Sequence, residues 1–281
     1  MLSIDHPATT GFSRLGQQYP RWMPTVSILA DNAVAGSRPK GLTAEWGFAA
    51  AIDGLLFDAG QTGVAADNAA TLGVGPFETI VLSHGHYDHT TALPAFLDDA
   101  TELYCHPAAF EAKYHDEEPI GMPYDRDWLA ATVDVTTHSD PIEVAPGIHA
   151  LGEIPREYPD SRTGTHIVDG ERIDDPVWDD QSLAVETDDG IALVVGCCHA
   201  GLRNTVSYAN DIFAESVTTV VGGTHLRSND PAEIEPIVEW LTGRIERIAP
   251  THCTGRLARR TLADAFDEDF LRVGAGSQID L

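Results

Sequence analysis

The stretch Ser83-His84-Gly85-His86-Tyr87-Asp88-His89 constrains this chain more than any other. It sets four metal-capable side chains within six residues, directly after Ile80-Val81-Leu82, an apolar run with the length of a buried strand. Imidazole nitrogen and carboxylate oxygen are the borderline donors that suit zinc and its neighbours. A loop leaving a strand can aim alternate side chains at two adjacent centres. His84 and His86, two apart, can reach one ion while Asp88 and His89 reach a second. A lone histidine here would read as a polar turn residue; donor type, spacing and position together read as a metal loop.

A chain of 281 residues can bury a large core, as one domain or as two fused halves, and 43% hydrophobic content is that of a globular protein. Its charge is less ordinary. Acidic residues number 44 against 17 basic, a net −27 spread along the chain, and only Lys40 and Lys113 are lysines. Self-repulsion of that size calls for concentrated salt, so the composition implies a salt-adapted cytoplasm, that of a halophilic archaeon. It also argues against nucleic-acid partners, because neutralising phosphates takes lysine and arginine. Cys105, Cys197, Cys198 and Cys253 do not make a disulfide framework for a chain this long. Cys197 beside Cys198, and Cys253 after a histidine, point instead to reduced thiols near a metal. Met1 to Thr10 has no apolar core of signal-peptide length and no run of eighteen apolar residues occurs, so a soluble cytoplasmic protein is expected.

Residues 1–24, rich in proline and glycine, are expected to form a surface arm, and 25–281 a single domain without a linker. Strands are predicted at Val26 to Leu29, Trp46 to Ile52 and Leu55 to Asp58, the last two joined through the hairpin turn Asp53-Gly54. A helix is predicted over Gln61 to Gly73 and another over Thr90 to Leu97, after the metal loop. From 111 to 180 regular pattern thins, with one clear strand at Ile148 to Leu151, and the length suggests a lid or insert. Beyond it the plan of the first half repeats: a hairpin through Asp188-Asp189-Gly190, a strand, a metal-capable loop at His199, and a helix from Ala200 to about Ala214. Val217 to Val221 delivers His225, and Arg247 to Pro250 delivers His252. Between them Asp230-Pro231-Ala232-Glu233 opens a helix with a capping aspartate, a first-turn proline and a reciprocal glutamate, and Gly243 closes it.

A strand followed by His-x-His-x-Asp-His resembles the metallo-β-lactamase superfamily. Leu55 to Gly60, Gly196 to Gly201, Gly222 to Leu226 and Pro250 to Gly255 narrow the resemblance to the subgroup named after 7,8-dihydropterin-6-methyl-4-(β-D-ribofuranosyl)aminobenzene 5′-phosphate synthase. The resemblance implies an α/β fold, a four-layer αββα sandwich of two mixed sheets with flanking helices. For the first ion it implies His84, His86 and His199, and for the second Asp88, His89 and His252. Asp58 would support the metal loop from behind. Two ions are expected, zinc first, with manganese or iron as alternatives, since a glutamate in place of His86 would have suited di-iron chemistry.

Relatives often carry a bridging aspartate where this chain offers Gly196-Cys197-Cys198. Cys197 can substitute, water alone can bridge, or the second site can be weak. Asp88 would orient the attacking nucleophile as well as bind metal. His225 has two readings, substrate contact or structure, and His199 a structural alternative to ligation. Arg156 is either a holder of an anionic substrate group or one half of a surface ion pair. The expected activity is metal-assisted hydrolysis, or transfer to another nucleophile, on a small anionic substrate such as a pterin. The subgroup's reaction joins an aminobenzene ribofuranosyl phosphate to a dihydropterin diphosphate with loss of pyrophosphate. Competing readings are a phosphodiesterase or ribonuclease of the same fold, which would need a basic groove, and a non-catalytic metal-binding sensor.

Overall fold

Alternation along the predicted strands sorts their side chains into two environments, and in the computed structural model both are apolar. The structure describes residues 23–159, 164–168 and 170–281, so the predicted arm lies outside the described residues except for Met23 and Pro24. Ile28, Leu55, Phe57 and Val81 from one sheet face Leu183, Val185, Ala192 and Val194 from another, forming the central core. The alternate residues Leu29, Leu56 and Ile80 turn outward onto Ala65 and Ala69 of the helix Val64–Leu72. Ile191, Leu193 and Val195 likewise turn onto Leu202, Val206, Ile234 and Leu262 of three helices, Leu202–Phe213, Pro231–Leu241 and Arg256–Phe266. Strands apolar on both faces are buried on both faces. The result is the expected αββα sandwich.

The first sheet has seven strands in the order Gln278–Asp280, Thr25–Ala30, Ala49–Ile52, Leu55–Phe57, Thr79–Val81, Glu102–Cys105, Asp134–Thr137. The second has six: Arg247–Thr251, Val217–Gly223, Gly190–Val195, Ser182–Thr187, Ile148–Ala150, Ile142–Ala145. Both are mixed. Leu55–Phe57 pairs antiparallel with Ala49–Ile52 across Asp53 (φ 45°) and Gly54 (φ 86°), a turn with both central residues left-handed, and then parallel with Thr79–Val81. Gly190–Val195, Val217–Gly223 and Arg247–Thr251 are parallel neighbours. Parallel strands release their loops at one edge, and five of them carry the candidate residues there, at Asp58, His84 to His89, Cys197 to His199, His225 and His252.

Some local expectations are revised. The helix predicted after the metal loop starts inside it, as the single turn Tyr87–Thr90, and only a 3-10 turn, Leu93–Ala95, follows. The turn is closed by Thr90 Oγ1 donating to the His86 carbonyl (2.9 Å), and it swings Asp88 and His89 to the strand end. The capping box at Asp230 is formed, Asp230 accepting from Ala232 and Glu233 and Glu233 accepting in return. Within 111 to 180 the structure has a small sheet of Lys113–His115, Glu118–Pro119, Thr165–Val168 and Glu171–Asp174, and a helix, Arg126–Ala130. Among the described residues no helix is long and apolar enough to cross a membrane.

Candidate metal centre

The loop Ser83 to His89 leaves its strand between the two sheets and is held from several sides. Asp58, left-handed at φ 59°, accepts from the Ser83 amide (2.7 Å), from Ser83 Oγ (2.6 Å) and from His89 Nδ1 (2.6 Å). That last bond leaves His89 Nε2 facing the site. Gly196 passes so close that a Cβ there would strike Ser83 Oγ and come within 2.9 Å of Asp58 Oδ2, so no larger residue fits. Gln181 clamps the strand end, its amide donating to Ser83 and its Nε2 to Leu82, each at 2.9 Å. Asp179 accepts from the Gly85 amide (2.7 Å) and, on its other oxygen, from Lys113 Nζ (2.8 Å).

The six residues expected as ligands converge. His84, His86 and His199 form one group whose donor atoms lie within 4.8 Å of one another, and Asp88, His89 and His252 form a second. The groups abut: the His84 and His89 ring centroids are 4.2 Å apart, those of His84 and His199 4.8 Å, and those of His89 and His252 5.1 Å. His252 arrives from a segment some 170 residues later and is aimed by residues near the amino end. Asp31 accepts its amide (2.5 Å), Asn32 Nδ2 donates to its carbonyl (2.9 Å), and Asn32 Oδ1 faces its Nδ1 (3.2 Å).

The chemistry of the donors fits divalent ions. Burial holds His84 and His199 well below the ordinary imidazole range and His86 down to about 3, so all three present neutral rings. His86 Nε2 is buried without a hydrogen-bond partner among the described residues. Burial opposes charge on His89, yet Asp58 and Asp88 outweigh it and raise the imidazole to about 9, so His89 would have to release the proton on Nε2 to take an ion. Burial alone would raise Asp88, but the facing His89 and His252 keep its carboxyl well below the usual range. Ligand bonds of about 2.0–2.3 Å would draw each group around one ion.

Above the two groups opens a cavity of about 480 Å³. Its lining contains His225, whose ring lies 4.1 Å from that of His199 and whose pKa burial lowers to about 4. Arg156 is not in this lining. Its Nη2 donates to the Val177 carbonyl (2.9 Å) and its guanidinium lies 5.4 Å from the Trp178 ring. The arginine of the lining is Arg227, stacked 4.6 Å over Trp46. Sequence reasoning missed it, and only its position four residues after Gly223 at a strand end signalled it. Cys197 and Cys253 both reach the donor groups, whereas Cys198 turns away into the apolar core. His115 and Glu118, from the small sheet, complete one wall, tied to the loop by the Tyr87 amide donating to Ile120 (2.9 Å). His106 caps a 3-10 turn, its Nδ1 accepting from Ala108 (3.2 Å), and is no part of the centre.

Comparison with known proteins agrees with this architecture. The family model described as the metallo-beta-lactamase superfamily matches residues 53–204. An uncharacterized protein of Methanocaldococcus jannaschii is 32% identical over 241 residues, 82% of this chain and 90% of that protein. The 7,8-dihydropterin-6-methyl-4-(beta-D-ribofuranosyl)-aminobenzene-5'-phosphate synthase of the same organism is 30% identical over 238 residues, 75% of this chain and 79% of the synthase. Among solved structures, a metal-dependent hydrolase of the beta-lactamase superfamily superposes with a TM-score of 0.83 at 28% identity, covering 92% of this chain and 99% of its own. Zn(2+)-bound PqqB from Methylobacterium extorquens shares the fold, with a TM-score of 0.55 at 14% identity over 92% of this chain and all of its own (100%).

Proposed function

Since this chain belongs to the metallo-beta-lactamase superfamily, we propose that it is a metal-dependent hydrolase or transferase acting on a small anionic substrate, with two zinc-class ions. The observation that carries this reading is the pair of abutting donor groups, His84/His86/His199 and Asp88/His89/His252, of which His86, His199, Asp88 and His252 line an open cavity. Bound ions of this class polarise a phosphoryl or acyl oxygen and lower the pKa of water from roughly 16 towards neutrality.

The side chains supply the rest. Asp88, a carboxylate at every physiological pH, can accept a hydrogen bond from the attacking water or hydroxyl and fix its direction. His225, neutral for the reason given above, offers the oxygen that gains charge an N–H donor without adding a second cation. Among the described residues the Arg227 guanidinium has no carboxylate partner and no hydrogen bond, in a chain carrying −27. That leaves its fork of donors for a substrate anion. Trp46, Tyr87, Pro119 and Ile120 give flat and apolar wall, which suits a ring such as a pterin. A long polyanion is poorly served, because Asp88 and Glu118 share the lining with that single arginine.

The test is a panel of phosphodiester, lactone, thioester and pterin diphosphate substrates in molar salt, at known metal content. Metal-dependent turnover of an anionic member supports the proposal; tightly held metal with no turnover on any member leaves a metal-binding sensor. Arg227→Ala should raise KM about tenfold to a hundredfold with kcat little changed, the loss of one charge-assisted contact of about 1.5–3 kcal/mol. Arg227→Lys should recover only part of it, since the point charge lacks the fork. An unchanged KM would remove Arg227 from the substrate site.

The charge supports a salt-adapted cytoplasm as the working compartment. The Debye length falls from about 10 Å at 0.1 M salt to about 3 Å at 1 M, so repulsion between neighbouring members of the 44 carboxylates is screened much more fully in the higher range. The thermal midpoint should therefore climb steadily between these concentrations of KCl; a flat or falling midpoint would contradict the assignment.

A further inference from the structure

We propose that Cys197 and Cys253 are thiolate ligands of the centre, Cys197 bridging the two donor groups and Cys253 completing the His252 side, which makes the site one for thiophilic divalent ions. The inference rests on the reading of those groups as a metal centre.

Cys197 belongs to neither histidine group yet reaches both. Its Sγ lies with donor atoms of His84 and His89, one from each group, all within 4.8 Å of one another, and again with those of His252 and Cys253. It is 3.2 Å from His89 Nε2, the nitrogen that Asp58 leaves facing the site. That position, beside His84 of one group and His89 and His252 of the other, is one from which a sulfur could be shared by two ions. Cys253 Sγ accepts the amide N–H of His225 at 3.2 Å, a bond that would strengthen once the sulfur gave up to an ion the proton it now directs at the Cys197 carbonyl (3.6 Å). Gly223 makes room for it, since a Cβ there would lie 2.7 Å from Cys253 Sγ.

Cys198 shows that this placement is specific. Its backbone is left-handed at φ 58°, and its side chain goes to the opposite side, packing among Leu202 and Val206 with Thr205 Oγ1 at 3.4 Å. Adjacent cysteines are thus split, one to the centre and one to the core. As a sulfur takes its place on an ion, the thiol releases one proton to solvent and no oxidation state changes. Sulfur donors select zinc, cobalt or cadmium over manganese and magnesium.

The experiment is X-ray absorption on the full-length zinc-loaded protein in molar salt, with the near-ultraviolet sulfur-to-metal charge-transfer band of the cobalt form as a second readout. A sulfur shell at about 2.3 Å beside nitrogen at about 2.0–2.1 Å is expected. The band should persist in Cys198→Ser, weaken in Cys253→Ser and vanish in the Cys197→Ser/Cys253→Ser double variant, which should also lose at least tenfold of its preference for cadmium over manganese. Two ions per chain with nitrogen and oxygen shells alone would overturn the proposal while leaving the metal centre standing. A chain that binds no ion would overturn both. The absorption measurement on the unmodified protein needs no variant, so it decides even if a cysteine variant fails to fold.

Discussion

His86→Ala is expected to lower kcat/KM by at least about a hundredfold and to strip one ion from each chain while the protein stays folded. Partners that merely orient a ligand already account for about 10–100-fold in metal affinity or activity, and a direct donor counts for more. The fold should tolerate the change, because His86 Nε2 makes no hydrogen bond among the described residues and the loop is clamped elsewhere, by Asp58, Asp179 and Gln181. His106→Ala is the matched control. Its imidazole caps a turn and should affect neither turnover nor metal content. Titrated metal, a circular dichroism spectrum and initial rates on the active substrate are sufficient readouts. Full activity in His86→Ala would mean that the His84/His86/His199 group is not the working site.

Lys113→Met should cost about 3–5 kcal/mol of folding stability, the usual loss when one partner of a buried ion pair is removed. Lys113 is 1% exposed and lies 2.8 Å from Asp179 and 3.3 Å from Asp175, two carboxylates that are themselves buried. Burial opposes its charge, yet Asp179 and Asp175 outweigh burial and hold the ammonium above its ordinary value. A raised folded-state pKa contributes stability in full below the unfolded value of about 10.4, and that contribution is lost as pH rises through the folded value. Stability curves of wild type and variant should therefore run parallel through neutral pH and converge in alkali. Because Asp179 also holds the Gly85 amide, metal affinity should fall along with stability. Urea unfolding at several pH values measures the first effect, and a loss below about 1 kcal/mol at neutral pH would contradict the account.

The convergence of the candidate donors was legible because each of them sits next to the feature that delivers it. His84 to His89, His199 and His252 follow short apolar strands, and parallel strands end at one edge. The hairpin at Asp53-Gly54 and the capping box at Asp230 were legible for a related reason: their signals are contained within a few consecutive residues. What stayed hidden depends on packing between distant segments. Nothing near Asp31-Asn32 says that they will orient His252, 220 residues away. Which arginine faces the cavity, Arg227 or Arg156, is decided by how the loops stack over Trp46 and Trp178. The small sheet escaped because its strands are two to four residues long and Glu171–Asp174 is exposed throughout, leaving no apolar alternation to read. The helix Arg256–Phe266 left a trace that could have been followed, buried Ala258, Leu262 and Phe266 at intervals of four.

Donors from both ends of the chain are predicted to gather two ions at one sheet edge. The most direct test of this is elemental analysis of protein purified in molar salt and never exposed to chelator, together with a diffraction map at the metal absorption edge. Two zinc-class ions per chain are predicted, one within bonding distance of His84, His86 and His199 and the other of Asp88, His89 and His252. A folded sample without metal, or an ion bound elsewhere while His252 stays out of reach of the His84 to His89 loop, would contradict it.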